Sequence, residues 1–251
     1  MVKIRPTRAL LFLGAAGLAG CDQTIETPEE IVEASIERYG GDVFENVTIS
    51  WDFRGVPFQI IRDGGVYRHQ RTVADSLGTT VREVMDNEGT WVEDAGERRA
   101  AGEERSGDIA MAVNSTVYLG FLPFRLDDPS VRLADLGSAT VEGRPYRKVE
   151  VTFGEDGGGS GWENRFVYWF REGDWTLDYL AYAEPLDPPV TRFRRAVNRR
   201  GVGGILVQDY ENYTADPEIE DIANYDEFLE RGELRLISMV EFDSVKVETG
   251  P

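Results

Sequence analysis

From Val47 the chain alternates apolar and polar side chains, Val47, Ile49, Trp51 and Phe53 against Thr48, Ser50, Asp52 and Arg54. A period of two is the mark of a strand with one face buried. The pattern recurs with turn signals between the runs. Residues 56–61 continue it, Arg62-Asp63-Gly64-Gly65 turns the chain, and residues 66–73 return; 81–85, the turn Asn87-Glu88-Gly89 and 90–93 form another hairpin. Further runs at 146–153, 165–171, 175–182, 191–197, 203–213 and 234–247 bring the expectation to about ten strands with turns every ~8 to 12 residues, an all-antiparallel arrangement.

Two segments break this period. Thr27-Pro28-Glu29-Glu30 reads as an N-cap, a proline in the first helical turn and acids on the positive helix end, and Gly40-Gly41 stops the helix. Ile31, Val32, Ser35, Ile36 and Tyr39 form its apolar stripe. The second segment, residues 109–124, holds no charged side chain; Ser106 or Asp108 is placed to cap a helix there and Pro123 to end it. Its apolar side chains run nearly all round, which calls for cover on every side.

The 251 residues carry 27 Lys and Arg against 46 Asp and Glu, a formal charge of −19. Such a surface repels nucleic-acid phosphates, so no nucleic acid is expected as a partner. One cysteine and one histidine leave no intrachain disulfide, no Cys or His metal cluster and no CxxC pair. No cofactor motif is present.

The cysteine is informative by its position. Lys3, Arg5 and Arg8 precede an apolar stretch over residues 9–19, the charged and apolar regions of an export leader, too short to span a membrane comfortably. Leu18-Ala19-Gly20-Cys21 then resembles a bacterial lipobox, so residues 1–20 are expected to be a lipoprotein signal peptide, Cys21 the acylated residue, 21–27 a lipidated tether and 28–251 a single β-rich domain. Two or three acyl chains on Cys21 anchor such a body stably in a membrane. The expected location is the bacterial cell envelope, at the outer membrane, facing periplasm or exterior.

Candidate chemistry is sparse. The run Gly154-Glu155-Asp156-Gly157-Gly158-Gly159-Ser160-Gly161 lacks the GK[ST] ending of a phosphate loop, carries two acids, and reads as a hairpin tip between strands. The acidic groups Asp127-Asp128 and 218–221 lack the spacing of a calcium loop. His69 falls mid-strand with no GxSxG serine to serve. Glu83 and Glu93 remain open as a paired-carboxylate site of an exported glycan hydrolase, because sequence does not reveal their separation.

The 12 Phe, 5 Trp and 10 Tyr cluster on the strands, and residues 166–170 are apolar on both faces, so that strand is expected to be covered on both sides. Core packing explains such a distribution. So does a sheet face that lines a cavity for an apolar ligand, with the uncharged helix as lid; the lining is then Trp51, Phe53, Phe58, Ile60, Met111, Tyr118, Leu122, Phe166, Tyr168, Phe170 and Tyr179.

The lipobox, N-terminal helix, long antiparallel sheet and inserted apolar helix together resemble bacterial lipoprotein carriers of the LolA/LolB type. The segments Leu122-Pro123-Phe124-Arg125-Leu126-Asp127-Asp128, Gly143-Arg144-Pro145-Tyr146, Arg192-Phe193-Arg194, Gly204-Ile205 and Gln208-Asp209-Tyr210 look like those of a family of bacterial secreted lipoproteins without a settled activity. The carrier resemblance implies an incomplete barrel around a hydrophobic cavity. The expected fold is therefore α+β, one strongly curved antiparallel sheet forming a half-barrel, with the N-terminal helix and the apolar helix as lid. The expected function is non-enzymatic, a monomer holding a lipid or acyl chain; a glycan hydrolase and a plain envelope scaffold are the alternatives.

Overall fold

A computed structural model describes residues 27–75, 77–156, 162–186, 189–215 and 221–250. The leader, Cys21 and residues 22–26 of the tether lie outside the described residues, as do residues 157–161 of the glycine-rich run and 218–220 of the second acidic group.

The first helix, α1 (Pro28–Tyr39), begins as expected. The Thr27 hydroxyl accepts from the Glu30 N–H at 3.2 Å while the Glu30 carboxylate accepts from the Thr27 N–H at 3.0 Å, a reciprocal capping box. Ile31, Val32, Ser35 and Tyr39 are buried, Ile36 half-buried. At Gly40 (φ +139°) the backbone leaves the helix, and a Cβ there would come within 2.8 Å of the Gly204 carbonyl oxygen. Only glycine tolerates both the angle and the approach.

The described strands number fourteen, in two seven-stranded antiparallel sheets, where about ten in one sheet were expected. The first sheet has the order β14-β1-β2-β3-β4-β5-β6, built from β1 (Asn46–Phe53), β2 (Val56–Asp63), β3 (Val66–Ala74), β4 (Thr80–Asp86), β5 (Gly89–Asp94), β6 (Glu97–Ala100) and β14 (Asp243–Thr249). The second runs β13-β12-β11-β10-β9-β8-β7, from β7 (Val131–Val141), β8 (Arg144–Phe153), β9 (Arg165–Arg171), β10 (Leu177–Glu184), β11 (Val190–Val202), β12 (Ile205–Thr214) and β13 (Arg235–Val240). Each is a meander, except that the run expected as one strand over 234–247 breaks at Glu241 and Phe242. Its first half edges one sheet and its second half edges the other.

Helix α2 (Glu103–Gly120) starts earlier than expected, after Gly102, and packs against β3, β4 and β5 of the first sheet with a reach to β12 of the second. Its cover is one-sided: Ile109, Val113, Val117 and Gly120 are buried, whereas Met111 is 57 % exposed. A short helix α3 (Tyr225–Glu230) follows a 3-10 turn at Ile222–Asn224.

Both sheets contribute to one core cluster, Ile49, Trp51, Phe58 and Ile60 from the first and Val149, Val151, Tyr168 and Phe170 from the second, with α1 and α2. The second sheet also buries its other face: Val167, Trp169, Tyr179 and Phe193 pack with Ile222, Ala223 and Tyr225. Strand β9 is thus covered on both sides as its composition requires, with full burial of such a side chain contributing about 1.5–3 kcal/mol. Among the described residues no helix is long and apolar enough to cross a membrane.

Candidate functional site

On the inner face of the second sheet, cross-strand register places Val151 opposite Phe166 and Phe166 opposite Tyr182, and sets Val149, Tyr168, Leu180 and Arg194 in the adjacent row. Phe153, two residues beyond Val151, shares that face. Phe153 and Phe166 meet edge-on at 5.8 Å, and Phe166 lies 6.1 Å from Tyr182 and 6.0 Å from Tyr118 of α2. Tyr118 also forms a 2.9 Å hydroxyl pair with the buried Tyr168. Phe153, Phe166, Tyr182 and Tyr118 are only half-buried, so this aromatic patch is packed below but incompletely covered above.

A cation borders it. The Arg194 guanidinium carbon sits 5.0 Å from the Tyr182 ring centre, and Nη2 donates to the Tyr182 hydroxyl at 3.4 Å. The Arg194 Nε is buried with no partner among the described residues.

Helix α2 bridges the two sheets over this region. Near its start Arg105 forms an ion pair with Glu83 of β4, which also accepts from Arg71 Nε of β3 at 2.6 Å. Near its end it is held through Tyr118 and through the Leu119 carbonyl, which accepts from the Tyr210 hydroxyl at 3.4 Å. Burial holds the Tyr118 and Tyr168 hydroxyls above the usual phenol range, so both stay protonated.

Most of the residues expected to line a cavity are in or against this core, but they meet one another. Trp51 stacks on Phe58 at 5.4 Å and meets Phe121 edge-on at 4.9 Å. Phe53 stacks on Phe242 at 5.6 Å, and Ile60, Leu122 and Phe170 are fully enclosed. Two residues are elsewhere. Met111 points from the exposed side of α2, because that helix is covered on one side only. Tyr179 lies on the opposite face of the second sheet: a register shift between Leu177 and Tyr179 turns the alternation over, leaving Leu177 in the inner cluster and Tyr179 in the outer.

The carboxylates Glu83 and Glu93 do not converge. Glu83 stands opposite Val92 and Glu93 opposite Arg82, so adjacent register rows send them to opposite faces; Glu83 meets α2, while Glu93 pairs with Arg68 and Arg82. His69 is buried, neither ring nitrogen has a partner among the described residues, and burial, then Arg125 and Arg62, pushes its pKa down to about 3. It is neutral at physiological pH.

Among the described residues, two of the surface clefts gather charged groups. One, of about 460 Å³, lies between α1 and residues 124–128; Arg62 there donates to both Glu45 oxygens at 3.1–3.2 Å and Arg125 Nε to Asp128 at 2.9 Å. Asp127 and Asp128 line it, but no group of three or more His, Cys, Asp and Glu among the described residues is placed to hold a metal. The other, of about 340 Å³, is lined by Glu142, Arg144, Tyr146, Arg171, Asp178, Tyr179, Arg195 and Arg199, with Ala196, Val197 and Asn198. Burial and the neighbouring Asp178 push the Tyr146 hydroxyl up to about 12, so it donates, to Asp178 Oδ2 at 3.0 Å. Neither cleft was visible in the sequence reading. The concentration of Arg192, Arg194, Arg195, Arg199 and Arg200 within an acidic chain was the available signal for the second.

A family model described as a family of unknown function (DUF6503) matches residues 7–242. No curated protein matches the chain. Solved structures that resemble it include a LolA superfamily protein from Nitrosomonas europaea (15% identity, covering 90% of this chain and 96% of that one, TM-score 0.48). A DUF1329 family protein from Desulfovibrio piger shares 13% identity over 89% and 94% of the two chains, TM-score 0.42. A putative outer membrane lipoprotein-sorting protein domain from Vibrio parahaemolyticus shares 10% over 88% and 92%, TM-score 0.44.

Proposed function

We propose that this chain, which belongs to the family of unknown function DUF6503, is a non-enzymatic, lipid-anchored envelope protein that holds a long-chain amphiphile against the inner face of its second sheet. The observation that carries the reading is the half-buried aromatic patch of Phe153, Phe166, Tyr182 and Tyr118 with Arg194 at its border. The rings suit an acyl chain; the Arg194 guanidinium, with a buried and unpartnered Nε, suits an acidic head group.

Seating the chain requires the C-terminal end of α2 to lift, exchanging the Tyr118 contacts for ligand contacts. Burying ~15 methylenes at ~0.8 kcal/mol each supplies a gross ~12 kcal/mol, ample to offset one tyrosine hydroxyl pair and its ring contacts. The Arg105–Glu83 ion pair sits at the other end of α2 and serves as the fixed end of that motion. Acylation at Cys21 places the body at the membrane from which such a chain is drawn.

Organic-solvent extraction of the full chain, purified from membranes in mild detergent, followed by mass spectrometry, tests this. An acyl amphiphile is expected in near-stoichiometric amount beyond the anchor's own chains, and Arg194→Gln is expected to lower its recovery several-fold. Recovery of the anchor lipid alone, from wild type as from the variant, would contradict the proposal.

A further inference from the structure

The cleft at the end of the second sheet has no part in the reading above. Four arginines, Arg144, Arg171, Arg195 and Arg199, line it together with Glu142 and Asp178, and Asp174 stands beside Arg171, in a chain whose net charge is −19. All three carboxylates are already committed, Asp174 accepting from Arg171 Nε at 2.9 Å. Asp178 accepts from Arg199 Nη2 at 2.6 Å and from the Tyr146 hydroxyl at 3.0 Å; Glu142 accepts from Arg195 Nη2 and from the Tyr179 hydroxyl, each at 3.0 Å. Three of the four arginines thus have a carboxylate partner, and Arg144 is the lining cation left over. The Arg144 side chain, exposed on the rim, has no ion pair or hydrogen bond among the described residues.

We propose that this cleft is an anion site that takes a small phosphate-bearing molecule. Guanidinium forks match the geometry of phosphate oxygens and are less strongly hydrated than ammonium groups, so the choice of arginine at all four positions favours an oxyanion. The acidic remainder of the surface does not oppose this strongly, because charges beyond about 8 Å are screened at physiological ionic strength while those lining the cleft are not. The volume of about 340 Å³ exceeds that of a bare phosphate and admits a phosphate with an organic substituent. Tyr146 and Tyr179 belong to the outer cluster of the sheet, whereas the aromatic patch is on the inner face, so the two sites are separate.

Phosphorus NMR line broadening on the detergent-solubilised full chain tests the site with two probes, inorganic phosphate and the water-soluble dihexanoyl phosphatidylglycerol. Saturable broadening is expected with at least one, falling as salt rises, and at least tenfold weaker in Arg144→Gln/Arg195→Gln. Saturation by inorganic phosphate identifies the free anion as sufficient; saturation by the short-chain lipid alone identifies the phosphodiester head group, and either supports the site. Because the Arg144 side chain makes no described hydrogen bond or ion pair, Arg144→Gln alone serves as the variant that leaves the fold intact, with a several-fold loss expected. Absence of saturation with both probes, or unchanged binding in the double variant, would overturn the proposal.

Discussion

Replacing Arg71 and Arg105 together with leucine is expected to destabilise the protein by about 3–5 kcal/mol, the range typical when a buried ion pair loses one side. The reason is the site of Glu83, whose side chain is 1% exposed between β4 and α2. In the wild type its two oxygens are met separately, Oε2 by Arg71 of β3 and Oε1 by Arg105 of α2. Both arginines keep part of their side chains in solvent, so the desolvation cost falls mainly on the carboxylate. Removing both cations leaves that buried carboxylate without its two described partners. Adding Glu83→Leu to the double variant is expected to restore most of the loss, because an apolar triad of similar volume is often as stable as the charged one. Urea unfolding of the three proteins reads this directly. A double variant as stable as wild type would show that Glu83 does not depend on these arginines.

The second large effect depends on pH. His69 is neutral in the folded protein, its pKa pushed down to about 3 by burial and then by Arg125 and Arg62, with Tyr67 the ring beside it at 5.0 Å. In the unfolded chain it titrates near the ordinary value of about 6.5. Between these values the unfolded state binds the extra proton, so stability falls as pH falls from about 6.5 toward 3. At pH 4.5 the loss amounts to about 2–3 kcal/mol from this group. Asp135, Asp174 and Asp221 also have depressed pKa values, so they act in the same direction: their stabilisation is present above the unfolded carboxylate value of about 3.9 and is lost as pH falls below it. Their window therefore lies lower than that of His69. The variant His69→Leu gives up no described hydrogen bond and is expected to be flat between pH 6.5 and 4.5 where wild type slopes. Equal slopes in the two proteins would show that another group is responsible.

How far the sequence reveals this molecule depends on how local each signal is. The cap, stripe and stop of α1 are local, and the structure matches them residue by residue. The strands with strong alternation, β1 to β5 and β8 to β12, are recognisable for the same reason. Strand β6, Glu-Arg-Arg-Ala, is exposed throughout and exists because its hairpin register with β5 continues the sheet. Strand β7 hides its period behind a register shift between Asp135 and Ser138, where Gly137 adopts φ +81°. The break that sends β13 and β14 to different sheets is a tertiary choice at Glu241 and Phe242: the Phe242 N–H donates to Asp209 of β12 at 3.0 Å while its ring stacks on Phe53 of β1.

For the candidate sites the same distinction holds. Phe166, Tyr168 and Phe170 share a face because strand parity places them there, and their chemistry is readable from spacing. Tyr179 alternates regularly with the inner Leu180 and Tyr182 and so falls on the outer face, while the bulge brings Leu177, two residues before it, to the inner one. The separation of Glu83 from Glu93 follows from cross-strand register, and the arginine cleft gathers residues from β8, β9 and β11 that are far apart in the chain.

The central claim is that the half-covered aromatic face receives an acyl chain, and the most direct measurement is the uptake of a naturally fluorescent polyene fatty acid by the delipidated full chain. Saturable uptake with energy transfer from tryptophan is expected, and Phe166→Asp, a change at a half-buried position, is expected to abolish it in protein that circular dichroism shows to remain folded, with a lowered urea midpoint. Absence of uptake by the folded wild type, or equal uptake by folded Phe166→Asp, would contradict the account.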